Sequence, residues 1–184
     1  MTEASRRRLL ELFKARAVSF GRFTLASGKE STYYINSKKV LFHSEALALL
    51  GEALCDLTHD LDLQALGGPE VGALPLAAAA VLHYHRQGRE LEGFFVRKQA
   101  KGHGSQERVE GVLPAGARVA VLDDVLTTGG SALQAAQEVE RAGAKVVAVV
   151  CIVDRLEGAA EVFAPKYAYR PIFTLRDLGI TPAG

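Results

Sequence analysis

The chain has 184 residues, 48% of them hydrophobic and 23% charged, with a formal net charge of +1. This content supports a sizeable core and excludes a disordered chain, while the near-neutral balance gives no overall pull toward nucleic acid or a membrane surface, so any anion binding must be local. Its two cysteines, Cys55 and Cys151, fall inside apolar stretches and read as buried free thiols of a reducing cytoplasm, without a disulfide framework or a metal-ligand cluster.

Taken in chain order, the first expected element is SRRRLLELFKARAV, an amphipathic surface helix in which Glu11, Lys14 and Arg16 interrupt any signal-peptide-like apolar run. FGRFTLASGKESTYYINSKKVLF follows as a hairpin-like stretch with a Ser27-Gly28 turn between β-prone segments. SEALALLGEALCDLTHD has helical apolar spacing and starts at Ser44. Next come strand DLQALGG, helix GALPLAAAAVLHYHRQG, strand LEGFFVRK, a polar loop, strand RVAVLDD, helix SALQAAQEVERAG and strand KVVAVVCIVD. The nearly apolar run at 71–82 is too short to span a bilayer and reads as a buried helix. Strands alternating with helices imply an α/β fold with a central, mainly parallel sheet flanked by helices. No repeat, low-complexity tract or linker divides the chain, so a single domain over 1–184 is expected.

Ligands of such sheets sit beyond the carboxyl ends of the strands, and GGPEVGALP, RKQAKGHGSQERVEG, DDVLTTGGS and DRLEG each follow an expected strand there. In VAVLDDVLTTGGSA, at 119–132, an apolar run ends in Asp123 and Asp124, and Val125 and Leu126 lead into Thr127, Thr128, Gly129, Gly130 and Ser131. Ser131 is the expected N-cap of the next helix. Free amides at a helix start, with the positive end of the dipole behind them, make a phosphate site. The acids repel phosphate but accept hydrogen bonds from vicinal hydroxyls, so a sugar phosphate would satisfy both halves of the turn. The turn is neither a Walker loop nor a dinucleotide GxGxxG turn, and in isolation an ordinary strand-to-helix turn also accounts for it.

Residues 97–116 form a long glycine-punctuated loop made cationic by Arg97, Lys98, Lys101, His103 and Arg108. Alone it reads equally as a solvated loop. Beside a phosphate turn, a lid over a polyanionic substrate fits better.

VLDDVLTTGGS resembles the ribose-phosphate loop of the type I phosphoribosyltransferases. Within that family, FGRFTLASGKESTYYIN is similar to the N-terminal hood of the orotate-specific members, GGPEVGALPLA to their pyrophosphate loop, RKQAKGHG to their catalytic loop and VDRLEG to their orotate-contacting segment. The resemblance spans 20–158 in the family's order and spacing. It implies a hood over 1–43 on a core of 44–184, and transfer of a 5-phosphoribosyl group from 5-phospho-α-D-ribose 1-diphosphate to orotate in pyrimidine biosynthesis. Asp123 and Asp124 would hold the ribose hydroxyls, and 125–131 would wrap the 5-phosphate. Thr127 and Arg155 would face orotate, with Ser27, Gly28, Tyr33 and Tyr34 covering the base. Lys101 and His103, supplied by the other subunit of a homodimer, would neutralise the departing diphosphate together with Arg97 and Lys98. Magnesium would be carried by the diphosphate and ribose hydroxyls, with no direct ligand from protein side chains. Neither a nucleic acid nor a membrane is an implied partner, and the expected location is cytoplasmic.

This chain departs from the family pattern at Ala26 and in Glu70-Val71-Gly72, where many bacterial relatives carry lysine, and at Gly102, where aspartate is frequent. Lys29 or the backbone amides of 68–73 are the expected replacements. His83 and His85, two apart on a helix, make a poor metal pair and read as surface or core-edge residues. Phe94 and Phe95 read as core. Two alternatives remain: a non-catalytic sensor of phosphoribosyl diphosphate, which the lysine-histidine loop disfavours, and a purine-base transferase, which TLASG and Arg155 disfavour.

Overall fold

A computed structural model of the chain describes residues 1–24, 28, 30–99 and 108–182. It opens with α1 (Glu3–Ala17), where the Thr2 side chain accepts from the Ser5 amide and Leu9, Leu12, Phe13 and Ala17 bury one helical face. An antiparallel pair, β1 (Val18–Thr24) and β2 (Glu30–Ile35), stands apart from the main sheet. Then come α2 (Lys38–Leu41), α3 (Ser44–Thr58), a 3-10 turn (His59–Leu61), β3 (Ala65–Pro69), α4 (Ala73–Arg86), β4 (Glu92–Val96) and β5 (Val109–Gly111). The chain continues through β6 (Arg118–Leu126), α5 (Gly130–Arg141), β7 (Lys145–Asp154), α6 (Ala159–Phe163) and β8 (Ala168–Thr174).

The six-stranded sheet runs β5-β4-β3-β6-β7-β8, with β5 alone antiparallel to its neighbour. Its central strands are apolar on both faces because helices cover both. Along β6, Val119 and Val121 join the cluster containing Ala132, Ala135, Ala136 and Val139 of α5. Ala120 and Leu122 point the other way, into the cluster built on α1, α3 and α4 with Phe13, Leu50, Leu54 and Leu76. The same two-residue period runs through β7, with Val149 and Cys151 on the α5 face and Val150 and Ile152 on the other.

The expected α/β architecture is therefore present. β5 falls inside the stretch expected to be loop, and α6 and β8 extend the fold past the last expected strand. Cys55 and Cys151 are free and buried. Phe94 is core whereas Phe95 is half-buried, and His85 is exposed. Among the described residues no helix is long and apolar enough to cross a membrane.

Candidate active site

The phosphate turn leaves β6 at Leu126 and enters α5 at Gly130. Gly129 is required twice over: its φ of 81° is left-handed, and a Cβ there would lie 2.5 Å from Cε2 of Phe163. That left-handed residue starts the helix, so Ser131 lies exposed in the first turn instead of capping it as expected. The α5 ladder begins with the Leu133 amide donating to the Gly129 carbonyl at 2.9 Å, and the amides ahead of it have no acceptor within the helix. They border a cavity of about 180 Å³ lined by Asp123 and residues 125–131. A dianionic phosphate matches a helix amino terminus of this kind.

The two acids are not equivalent. Asp123 lines the cavity of the phosphate turn, whereas Asp124 is turned toward α2 and the start of α4. Lys38 Nζ donates to Asp124 Oδ2 at 2.7 Å, and the Ser37 hydroxyl donates to the same oxygen. Gly72 makes room for this carboxylate, because a Cβ there would lie 2.6 Å from Asp124 Oδ1. Burial, reinforced by the adjacent Asp124 charge, pushes the Asp123 carboxyl far above the usual carboxylate range. Burial also works against ionised Asp124, but the hydrogen bonds and charge of Lys38 and the Ser37 hydroxyl outweigh it and hold that carboxyl below its ordinary value. The site thus treats its two carboxyls differently, favouring the protonated form of Asp123 and the charged form of Asp124.

Arg155 follows β7, and its amide donates to the Leu126 carbonyl at 2.9 Å, which ties its turn to the phosphate turn. The turn is closed by the Leu156 amide on Asp154 Oδ1 at 2.7 Å, with Leu156 in the left-handed region at φ 59°. Arg155 Nη2 donates to the Tyr33 hydroxyl at 2.8 Å and pairs with Glu157 at 2.8 Å, while its Cζ lies 5.2 Å from the Tyr33 ring centroid. Its Nε is buried without a hydrogen-bond partner. An unsatisfied planar donor beside a phosphate site suits a carboxylate. The period of β2 places Tyr34 on the opposite face, tilted against Phe23 at 5.6 Å between ring centroids, so it is not brought to Arg155. Gly28 takes a left-handed φ of 80° with open space around its Cα, while Ser27, Ala26 and Lys29 lie outside the described residues.

At the base of the cationic segment, Arg108 differs from expectation. Its guanidinium donates to the carbonyls of Arg97 and Lys98 at 2.8 and 2.9 Å and to Glu138 at 2.9 Å, so it fastens the two ends of the segment to α5. The Lys98 amide donates to Glu70 at 2.8 Å, joining the segment to the β3–α4 turn. Arg97 stands 3.6 Å from Glu110. Within that turn the Glu70 amide is already engaged by the Val96 carbonyl at 2.9 Å, and Val71 is exposed. Lys101, Gly102 and His103 lie outside the described residues.

Residues 58–174 match the model of the phosphoribosyl transferase domain. A curated orotate phosphoribosyltransferase from Streptomyces avermitilis is 50% identical over 153 residues, which is 83% of this chain and 84% of that one. The chain belongs to the orotate phosphoribosyltransferase family. Two crystal structures of the Mycobacterium tuberculosis H37Rv orotate phosphoribosyltransferase superpose on it. One, in complex with Fe(III) dicitrate, has a TM-score of 0.86 at 42% identity, and the other, in complex with 5-phospho-α-D-ribosyl 1-diphosphate, has 0.81 at 38%. Each covers 96% of this chain and 99% of its own.

For an orotate phosphoribosyltransferase, the β6 acids, the phosphate turn, Tyr33 and Arg155 are the parts that sequence reading had named and that the fold brings to one sheet edge. Ser37 and Lys38 are the parts it missed. Their only sequence signal is two polar residues opening a four-residue helix whose Val40 and Leu41 are buried.

Proposed function

We propose that this chain transfers the 5-phosphoribosyl group from 5-phospho-α-D-ribose 1-diphosphate to orotate, giving orotidine 5-phosphate and diphosphate. The observation carrying this reading is the convergence at one sheet edge of a helix-start phosphate cavity, a split acid pair and a partly buried Arg155 whose Nε has no hydrogen-bond partner. The amides of 127–131 bind the 5-phosphate, Asp124 accepts from a ribose hydroxyl as a carboxylate, and Asp123, which favours its protonated form, holds the neighbouring hydroxyl. Arg155 pairs with the orotate carboxylate, aligning the ring nitrogen with the anomeric carbon. The nitrogen–carbon bond forms as the carbon–oxygen bond to diphosphate breaks, and the proton of the ring nitrogen passes to the departing diphosphate or to water. Arg97 and Lys98, with Lys101 and His103 from the second subunit, take up the charge that grows on the leaving group, stabilising the transition state more than the ground state.

Among the described residues no three His, Cys, Asp or Glu side chains converge as a metal site. The acid pair fits magnesium as the holder of the hydroxyls that carry the ion. When bound, magnesium supplies positive charge on the substrate's own oxygens. Two buried free thiols support a reducing, cytoplasmic setting.

With phosphoribosyl diphosphate saturating, orotate should be consumed at least about 100-fold faster than uracil, hypoxanthine or adenine, since only orotate offers a carboxylate to Arg155. Comparable turnover of a purine base would favour the purine-base reading.

The second subunit's contribution has its own test. Lys101→Ala and the doubly neutralised Asp123→Asn, Asp124→Asn chain should each be nearly inactive alone. After subunit exchange, about half the dimers are mixed and each mixed dimer carries one intact site, so roughly a quarter of wild-type activity should return. Verified heterodimers without recovery would place the cationic loop over its own chain's site.

A further inference from the structure

We propose that Lys38, together with Ser37, is a positioning residue for the transfer, holding Asp124 as an aimed carboxylate before the sugar arrives. This rests on the reading of Asp124 as a ribose-hydroxyl acceptor.

The arrangement around α2 has little other explanation. Ser37 is the N-cap residue of that helix and is almost fully buried, yet its side chain does not cap it. The hydroxyl is directed to Asp124 instead, beside Lys38 Nζ at 2.7 Å on the same oxygen. Val40 and Leu41, at 0% and 1% exposure, anchor the short helix in the core, so the two donors are presented from a fixed base. The Lys38 side chain is 51% exposed, so water already solvates its stem and a neutral side chain of similar length can occupy the same space.

The chemistry calls for such a counter-ion. Asp123 and Asp124 are adjacent and buried, and two carboxylates so placed do not both ionise readily. A pair sharing one proton at random would present the ribose with an uncertain mixture of donor and acceptor. Lys38 and Ser37 fix the negative charge on Asp124 and leave the proton to Asp123. The groups facing Asp124 are these two from the α2 end, Asp123 from its own strand and the backbone of Gly72 at the start of α4, while the Cys151 thiol, kept neutral by burial, lies opposite Asp123 on the α5 side of β7.

The test is Lys38→Met in the full chain, with phosphoribosyl diphosphate varied at saturating orotate. KM for phosphoribosyl diphosphate near neutral pH should rise roughly 10-fold, with kcat changed by less than about 3-fold. The acid limb of kcat/KM should move up by about one pH unit, because removing the cation raises both carboxyls of the pair. Lys38→Arg should restore both values. A carbon-13 titration of the Asp124 carboxyl without substrate should move in the same direction. An unmoved acid limb and an unmoved titration in folded Lys38→Met overturn the proposal, as does a loss that is equal at every pH and that arginine fails to rescue. If Lys38→Met does not fold, Ser37→Ala probes the same oxygen, with an upward shift expected and no shift overturning the role. Asp124→Asn, run in parallel, separates the two readings. If it stays active, the ribose assignment itself is wrong; if it is inactive while Lys38→Met is unshifted, only the role of Lys38 falls.

Discussion

Asp124→Asn should lower kcat/KM for phosphoribosyl diphosphate by about 100-fold, some 2.7 kcal/mol of transition-state stabilisation. The amide keeps the carboxyl's shape and leaves room against Gly72, so the folded structure should persist with an unchanged circular dichroism spectrum. What disappears is a charged acceptor for hydroxyl donors, and Lys38 loses its counter-ion. Because the Asp124 charge helps to raise the Asp123 carboxyl, the same variant should make Asp123 more acidic. In the wild type that raised carboxyl favours the folded state most at low pH, and the advantage is lost as pH climbs through its folded value. Asp124→Asn should therefore flatten this part of the stability profile on the alkaline side. Activity within a few-fold of wild type would make the acids structural.

Arg155→Ala should raise KM for orotate by roughly 100-fold while changing the affinity for phosphoribosyl diphosphate less than about 3-fold, since a charge-assisted fork is lost on one substrate only. Arg155→Lys should recover little, because a single ammonium cannot reproduce two parallel donors. The fold tolerates the loss: Glu157, freed of its partner, is partly exposed and can be hydrated, and the Tyr33 hydroxyl needs only water. Isothermal calorimetry with each substrate separately checks the split, and equal weakening of both would remove Arg155 from base recognition.

The phosphate turn and the acid pair were legible in sequence because their chemistry is local. A β-branched run, two acids and a small-residue loop lie within fourteen consecutive residues, 119–132. The helix start was misplaced because a left-handed glycine, not a serine side chain, sets it, and the contact that enforces glycine comes from Phe163, thirty-four positions away. Arg108 looked like one more loop cation, and only the fold shows its guanidinium occupied by two carbonyls and Glu138. β5, three residues long, is too short for an alternating pattern to emerge. Lys38 had only a faint local signature, a polar residue opening a short helix, since its meaning depends on a carboxylate eighty-six residues later in the chain.

The alternation of β6 has a bearing on how such a site can change. Asp123 and Asp124 differ in role because consecutive strand residues face opposite sides, and which acid meets the phosphate turn is decided by which of Val119, Ala120, Val121 and Leu122 faces α5. None of these four residues needs to touch a substrate. Inserting or deleting one residue among them would exchange the sides the two acids face, turning Asp123 toward the lysine and Asp124 toward the phosphate turn and shifting both along the strand. Hydrogen bonding to β3 on one side and β7 on the other opposes any such slip. The placement of the acid pair is thus set by the residue count of an aliphatic strand, and a one-residue slip there would be felt first as lost sugar recognition.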